Sequence, residues 1–113
     1  MKNCSKQKNT DDKVIFRRSK QWQTFRKNLK KKQKFDPITG STLARTCNCH
    51  HLDLNSKHYS DISDESHFIC LNATSHTVIH FLFGDGSRRY DWRKRLKRLE
   101  EICEVMEQIN DKQ

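Results

Sequence analysis

CNCHHLDLN at residues 47–55, followed by SHFICLNATSHTVIHFL at residues 66–82, is the stretch on which the fold turns. Leu43 to Leu52 is rich in residues that tolerate a strand, and Phe68 to Leu71 is an apolar run of strand length. Between them Asp53 to Ser66 is polar and without period, which reads as a long irregular loop. Asn72 is positioned to cap a helix from about Ala73 to Phe83, and Gly84-Asp85-Gly86 ends it. The order is therefore strand, loop, strand, helix, an α+β core.

All six histidines fall between positions 50 and 80. His76 and His80 are four apart on the expected helix, so both imidazoles leave the same face one turn apart, a spacing that suits two ligands of one metal ion. His50 and His51 end the first strand, where adjacent side chains point to opposite sides. One of them could complete a metal site and leave the other facing solvent or substrate. Three neutral imidazoles with an open coordination position suit catalysis, because structural zinc normally takes four protein ligands.

Outward from this centre the chain is basic. The net charge is +9 over 113 residues, with thirteen Lys and Arg against two acidic residues before Asp36. A second basic block, SRRYDWRKRLKR, spans residues 87–98. Such a balance favours polyanionic partners. Residues 1–16 read as a basic flexible tail. From Ser19, a plausible N-cap, to Gln33 a helix is expected, with Trp22, Phe25 and Leu29 on one narrow apolar stripe and basic residues around it. DPITG at 36–40 is a turn signal that closes this helix. A final helix, from about Tyr90 to Gln108, carries Trp92, Leu96, Leu99, Cys103, Met106 and Ile109 at spacings of three and four; its basic first half and acidic second half oppose the helix dipole.

Mean hydropathy is −1.03, and no apolar run approaches the length of a membrane span. The start MKNCSKQKNT lacks the apolar stretch of a signal peptide. A cytoplasmic location without membrane attachment is the expectation, that of the host cell if the gene is phage-borne. Five cysteines at irregular spacing read as reduced thiols, with Cys47 and Cys49 as small apolar strand residues. The expected core is Trp22, Phe25, Ile38, Leu43, Phe68, Ile69, Leu71, Val78, Ile79, Leu82 and Phe83.

The double histidine, the long loop and the HxxxH helix together resemble the motif of the HNH endonucleases, the ββα-metal nucleases; the DPITG turn and the Trp-containing basic helix look like phage-type members. The resemblance implies a nuclease domain over residues 17–86, including the leading helix 19–33, with a C-terminal helix over 87–113. It implies that His50, His76 and His80 hold a divalent ion (Mg²⁺, Mn²⁺ or Zn²⁺) and that His51 is the general base. The family's middle asparagine, which orients the base, is replaced by His67, nine residues ahead of His76; Asn72 is the fallback. Many members add a structural zinc on two CxxC pairs. Here the matching positions hold Asp36 and Thr39, then Asn72 and Ser75, so no Cys4 zinc is expected and hydrogen bonds among these residues could replace it.

The function this implies is metal-dependent hydrolysis of DNA phosphodiesters, with double-stranded DNA held non-specifically by Arg17, Arg18, Arg26, Lys27, Lys30, Lys31, Arg88, Arg89 and Arg93. Two other classes fit the same features: a non-catalytic nucleic-acid-binding protein with a structural metal site, and an interaction protein that pairs, as a homodimer or otherwise, through its C-terminal helix. His58 reads as a solvated loop residue, and Asp53 as a turn former that could also steady a ligand histidine.

Overall fold

The computed structural model of the chain describes residues 12–112. Among them are four α-helices and one two-stranded antiparallel sheet, an α+β architecture. Helix α1 covers residues 12–18, α2 Lys20–Gln33, α3 Ala73–Phe83 and α4 Trp92–Asp111; the strands are β1, Asn48–His51, and β2, Phe68–Leu71. Two short 3₁₀ turns, Ser56–His58 and Glu65–His67, interrupt the loop between the strands. Most of the expected tail, residues 1–11, lies outside the described residues. Its last part is helical, and Phe16 of α1 packs on Trp22 and Tyr59 with ring centroids 5.3 and 5.9 Å apart. The chain divides into two compact units, Met1–His76 and Thr77–Gln113, with the boundary inside α3.

In the first unit, α2 begins where expected because the Ser19 hydroxyl accepts the Trp22 N–H at 3.2 Å. Lys30, Lys31 and Lys32 lie in its last turn, where the helix dipole favours cations. Its stripe buries Trp22 and Leu29 against Leu43, Cys47, Phe68 and Cys70, with Phe16, Phe25, Cys49 and Ile62 at the margin. Ile38 is not in the core: it is 50% exposed on the turn. Two thiols, Cys47 and Cys70, fill the tight space beside the hairpin instead.

The strand expected over residues 43–52 shrinks to four residues. Leu43 N–H goes to Lys34 O in an isolated antiparallel bridge between Phe35 and Thr42, Ala44 N–H to the Asn72 side chain and Cys47 N–H to Ala44 O in a turn, so none of these donors reaches β2. The register sets Cys49 opposite Cys70, His50 opposite Ile69 and His51 opposite Phe68. Gln33 then acts as a substitute strand: its amide donates to Cys70 O and accepts from Cys70 N–H, both at 2.7 Å. The last residue of α2 is thus locked to β2, and the edge groups that would otherwise need water are satisfied. Arg26 adds a bond to Cys47 O at 2.6 Å.

Asp36, fully buried, joins the remaining parts. Its Oδ1 accepts from Ile38 N–H, Thr39 N–H and the Ser75 hydroxyl, and its Oδ2 accepts from Asn72 N–H, all between 2.8 and 3.1 Å. The four polar positions singled out in the sequence therefore meet in one network. Asn72 begins α3 as expected, but its side chain is directed elsewhere, accepting from Ala44 N–H and donating to Thr42 O. Burial alone would raise the Asp36 pKa; the backbone N–H groups of Thr39, Asn72 and Ile38 and the Ser75 hydroxyl outweigh it and hold the value at about 2.

The second unit contains the end of α3, a turn and α4. Gly84 takes φ +91° and donates its N–H to His80 O, ending α3; a side chain there would collide with the Arg88 carbonyl. Asp85 gathers Ser87 N–H and Arg88 N–H, and Tyr90 N–H returns to Phe83 O. Asp91 caps α4 by accepting Lys94 N–H, which is why that helix starts two residues later than the apolar pattern suggests. Arg95 donates to Phe81 O at 2.6 Å and lies 3.8 Å from the Tyr90 ring centroid. Val78, expected in the core, is 36% exposed, and the apolar stripe of α4 is exposed as well. No described helix is long and apolar enough to cross a membrane.

The Asp36 network has a measurable signature. Its folded pKa lies below the ordinary 3.8, so the ionised carboxylate stabilises the fold above that value and the contribution disappears as the pH falls toward 2. Asp36→Asn puts an amide N–H against donors that need an acceptor. It should lower the thermal midpoint at neutral pH by ~5 °C or more and flatten the fall in stability between pH 4 and pH 2. Thermal melts of both proteins across that range check it; parallel curves would show that Asp36 is not the titrating group.

Candidate metal centre

β1 and α3 supply three imidazoles. His50 stands on β1, and His76 and His80 stand one turn apart on α3. The His50 and His76 rings meet edge to face at 5.1 Å. Each of the three offers one ring nitrogen, and these nitrogens all lie within 4.8 Å of one another, with every ring half-buried. This cluster could bind a metal ion: neutral imidazoles are good ligands for first-row divalent ions, and three of them leave positions open for water or substrate.

Two backbone devices aim these rings. The Asp36 network fixes where α3 starts, and with it the direction in which His76 leaves the helix. At the other end, His80 Nδ1 lies 3.2 Å from Gly84 O. A carbonyl only accepts, so Nδ1 carries the proton and Nε2 keeps the lone pair a metal needs. The glycine that ends α3 thereby also selects the tautomer of a candidate ligand.

His51 goes to a different place. Its ring is sandwiched between Tyr59 (4.4 Å, 11° between planes) and Trp22 (5.4 Å, 19°), with the edge of Phe68 at 4.8 Å. Nε2 is 2.9 Å from Tyr59 O and so donates to it, leaving Nδ1 as the basic atom. Burial pushes the His51 pKa below its ordinary value and Lys13 and Arg17 add to this, against the opposing bond to Tyr59. The imidazole is neutral at neutral pH. It borders a pocket of about 180 Å³ lined also by Asp53, His58, Asp61, His67 and Phe68.

The structure therefore gathers His50, His76 and His80 and sets His51, one residue along the strand, in a different pocket. His67 reaches that pocket too, with its exposed ring 3.4 Å from Asp64, while its backbone carbonyl accepts Leu52 N–H at 2.8 Å and so pins the residue after His51. His58 is not simply solvated: its Nδ1 lies 2.7 Å from Asp53 Oδ2. Asp53 is the expected turn former, accepting Asn55 N–H at 2.9 Å; that bond and His58 lower its pKa. The residues missed in the sequence are Tyr59, whose lone aromatic ring in a polar loop gave no periodic signal, and Trp22, which read as core and turns out to be a stacking surface as well.

Of the basic residues, Arg26, Lys27 and Lys30 line a shallow groove of about 340 Å³ with Gln23, Thr24 and Arg45. Arg17 and Arg18 are exposed on α1 and Lys31 on α2. Arg88 is exposed on the turn before α4, whereas Arg89 and Arg93 lie over the rings of Phe83 and Trp92 at 4.6 and 4.4 Å.

The separation of His51 from the cluster predicts separable variants. His80→Ala should weaken binding of Zn²⁺ or Co²⁺ by at least ~10-fold, and His51→Ala should leave it within a factor of two to three. Calorimetric titration of the two variants measures this; equal losses would mean that His51 is a ligand. No family model matches the chain, and no curated protein or solved structure matches it, so the functional reading rests on this geometry and on the sequence motif.

Proposed function

We propose that this chain is a metal-dependent endonuclease of the HNH, or ββα-metal, type that hydrolyses DNA phosphodiester bonds. The observations that carry the reading are the three-imidazole cluster and, one residue along β1, a histidine whose Nε2 proton is committed to a backbone carbonyl. A metal centre alone serves structure or transport equally well. A metal centre next to an oriented base is what hydrolysis requires. The antiparallel hairpin followed directly by a helix carrying HxxxH supports the ββα form.

In this mechanism His51 Nδ1 takes a proton from the attacking water, and the ring is kept from rotating by Tyr59 and Trp22 on its two faces. A divalent ion held by His50, His76 and His80 would supply charge to a phosphate oxygen and to the departing 3′ oxygen. Imidazole ligands favour a transition ion such as Zn²⁺ or Mn²⁺ over Mg²⁺, which prefers oxygen donors. His67 acts as a positioning residue through its carbonyl on Leu52, so an asparagine can serve in its place. The groove of Arg26, Lys27, Lys30 and Arg45, with Arg17, Arg18 and Lys31, holds the phosphate backbone; Arg88, Arg89 and Arg93 are further phosphate contacts on the second unit. Non-specific contacts of this kind position DNA without reading its sequence.

Supercoiled plasmid incubated with the full chain and Zn²⁺, Mn²⁺ or Mg²⁺ should be nicked or linearised. His51→Ala should lower the rate by ~10²–10⁴-fold while retaining metal, and His67→Asn should retain activity. A His51→Ala protein as active as the unaltered chain would refute the nuclease reading. DNA binding should fall by ~10³-fold between 50 and 200 mM salt if about six phosphates are contacted. A flat salt response in a filter-binding assay would remove the basic groove from the model of binding.

A further inference from the structure

Cys49 on β1 and Cys70 on β2 are partners in the register of the hairpin, so their side chains leave the sheet on the same face. Both backbone groups of Cys70 are spent on the Gln33 amide, and Leu52 N–H on His67 O marks a bonded pair three steps further along. Bonded and unbonded pairs alternate in an antiparallel ladder, so Cys49 and Cys70 form an unbonded pair. In such a pair the Cα atoms approach to about 4.5 Å and the side chains lie closest. That separation falls within the range of about 4.4–6.8 Å that a disulfide spans.

The two sulfurs already interact. The Cys49 thiol beside Cys70 pulls the Cys70 pKa down, and Cys47 and the charges of Arg26 and Lys30 add to this against the effect of burial. A sulfur held toward its thiolate form is the better attacking group. Cys70 is fully buried, whereas Cys49 is half-buried at the margin of the core and is the sulfur that a small solute reaches first. A metal ion does not account for the pair: His50 leaves β1 on the opposite face, and the histidine cluster includes no thiol. Packing asks only for small apolar side chains here, not for two thiols in register.

We infer that Cys49 and Cys70 are an oxidisable pair that hydrogen peroxide closes into a cross-strand disulfide, stapling β1 to β2 beside His50 and His51. The Cys49 sulfur attacks one peroxide oxygen, the O–O bond breaks, and water leaves with the Cys49 thiol proton, giving a sulfenic acid. The Cys70 sulfur then attacks the Cys49 sulfur, the S–O bond breaks, and a second water leaves with the Cys70 proton. The two thiols lose two electrons and two protons, and the peroxide takes them up as two waters. A thiol reductant reverses the change. The inference is independent of the nuclease reading.

The full chain carrying Cys4→Ser and Cys103→Ser, treated with hydrogen peroxide and mapped without reduction, should yield one disulfide that dithiothreitol removes. Fragmentation of the linked peptide between residues 47 and 49 should assign it to Cys49 and Cys70. Cys47→Ala should still form the link and Cys49→Ser should not, with the fold of each checked by circular dichroism. Closing a loop between the strands should raise the thermal midpoint by ~5 °C or more. Thiols that stay free or pass to sulfinic acid, a link made from Cys47, or a midpoint that the disulfide leaves unchanged would overturn the proposal.

Discussion

A carboxylate that has lost all contact with water is stable only if the charge it keeps is fully solvated by the protein. Asp36 meets that condition with three backbone N–H groups and one hydroxyl, and these outweigh the cost of burial. Its partners come from two places far apart in the sequence: the turn at 36–40 and the junction of β2 with α3. Because Asn72 and Ser75 are both held, the first turn of α3 has one position and one rotation relative to the hairpin. His76 is the residue after Ser75, so a polar network with no chemistry of its own sets the direction of a candidate ligand.

The same economy recurs around the two histidine environments. Backbone carbonyls, those of Gly84 and Tyr59, select the tautomers of His80 and His51. In each case the carbonyl is placed by a local feature: a glycine at positive φ in one, a 3₁₀ turn in the loop in the other. Neighbouring residues on one short strand are thereby given opposite assignments. His50 joins a cluster able to share a metal ion, and His51 becomes a neutral, stacked ring with one basic nitrogen. Strand geometry makes the division possible, since adjacent side chains leave a strand on opposite faces.

Several expectations drawn from residue pattern did not survive folding, each for a local reason. The first strand is short because Leu43, Ala44 and Cys47 give their N–H groups to Lys34 O, the Asn72 side chain and Ala44 O and not to β2. Ile38 and Val78 are exposed because the small core is filled by Trp22, Phe68 and two thiols. The Asn72 side chain ties down residues 42–44. Gln33 was invisible as a structural residue: a glutamine at the end of a basic helix looks solvated until a strand edge is found beside it.

Sequence alone determined α2, β2, α3 and α4 and the histidine pair on α3. A Ser N-cap, an apolar stripe, a Pro-Gly turn, a short apolar run and HxxxH before a glycine are local signals, and local signals act through neighbours within a turn. It also marked Asp36, Thr39, Asn72 and Ser75 as a set, through their positions in the resembled motif. Tertiary structure decided what those residues touch. The arrival of His50 at His76 and His80, the stacking of His51 between Trp22 and Tyr59, and the clamp of Gln33 on Cys70 all join residues distant along the chain. Such contacts depend on strand register and helix rotation, and these follow from how the whole core packs, a property that no short window of sequence encodes.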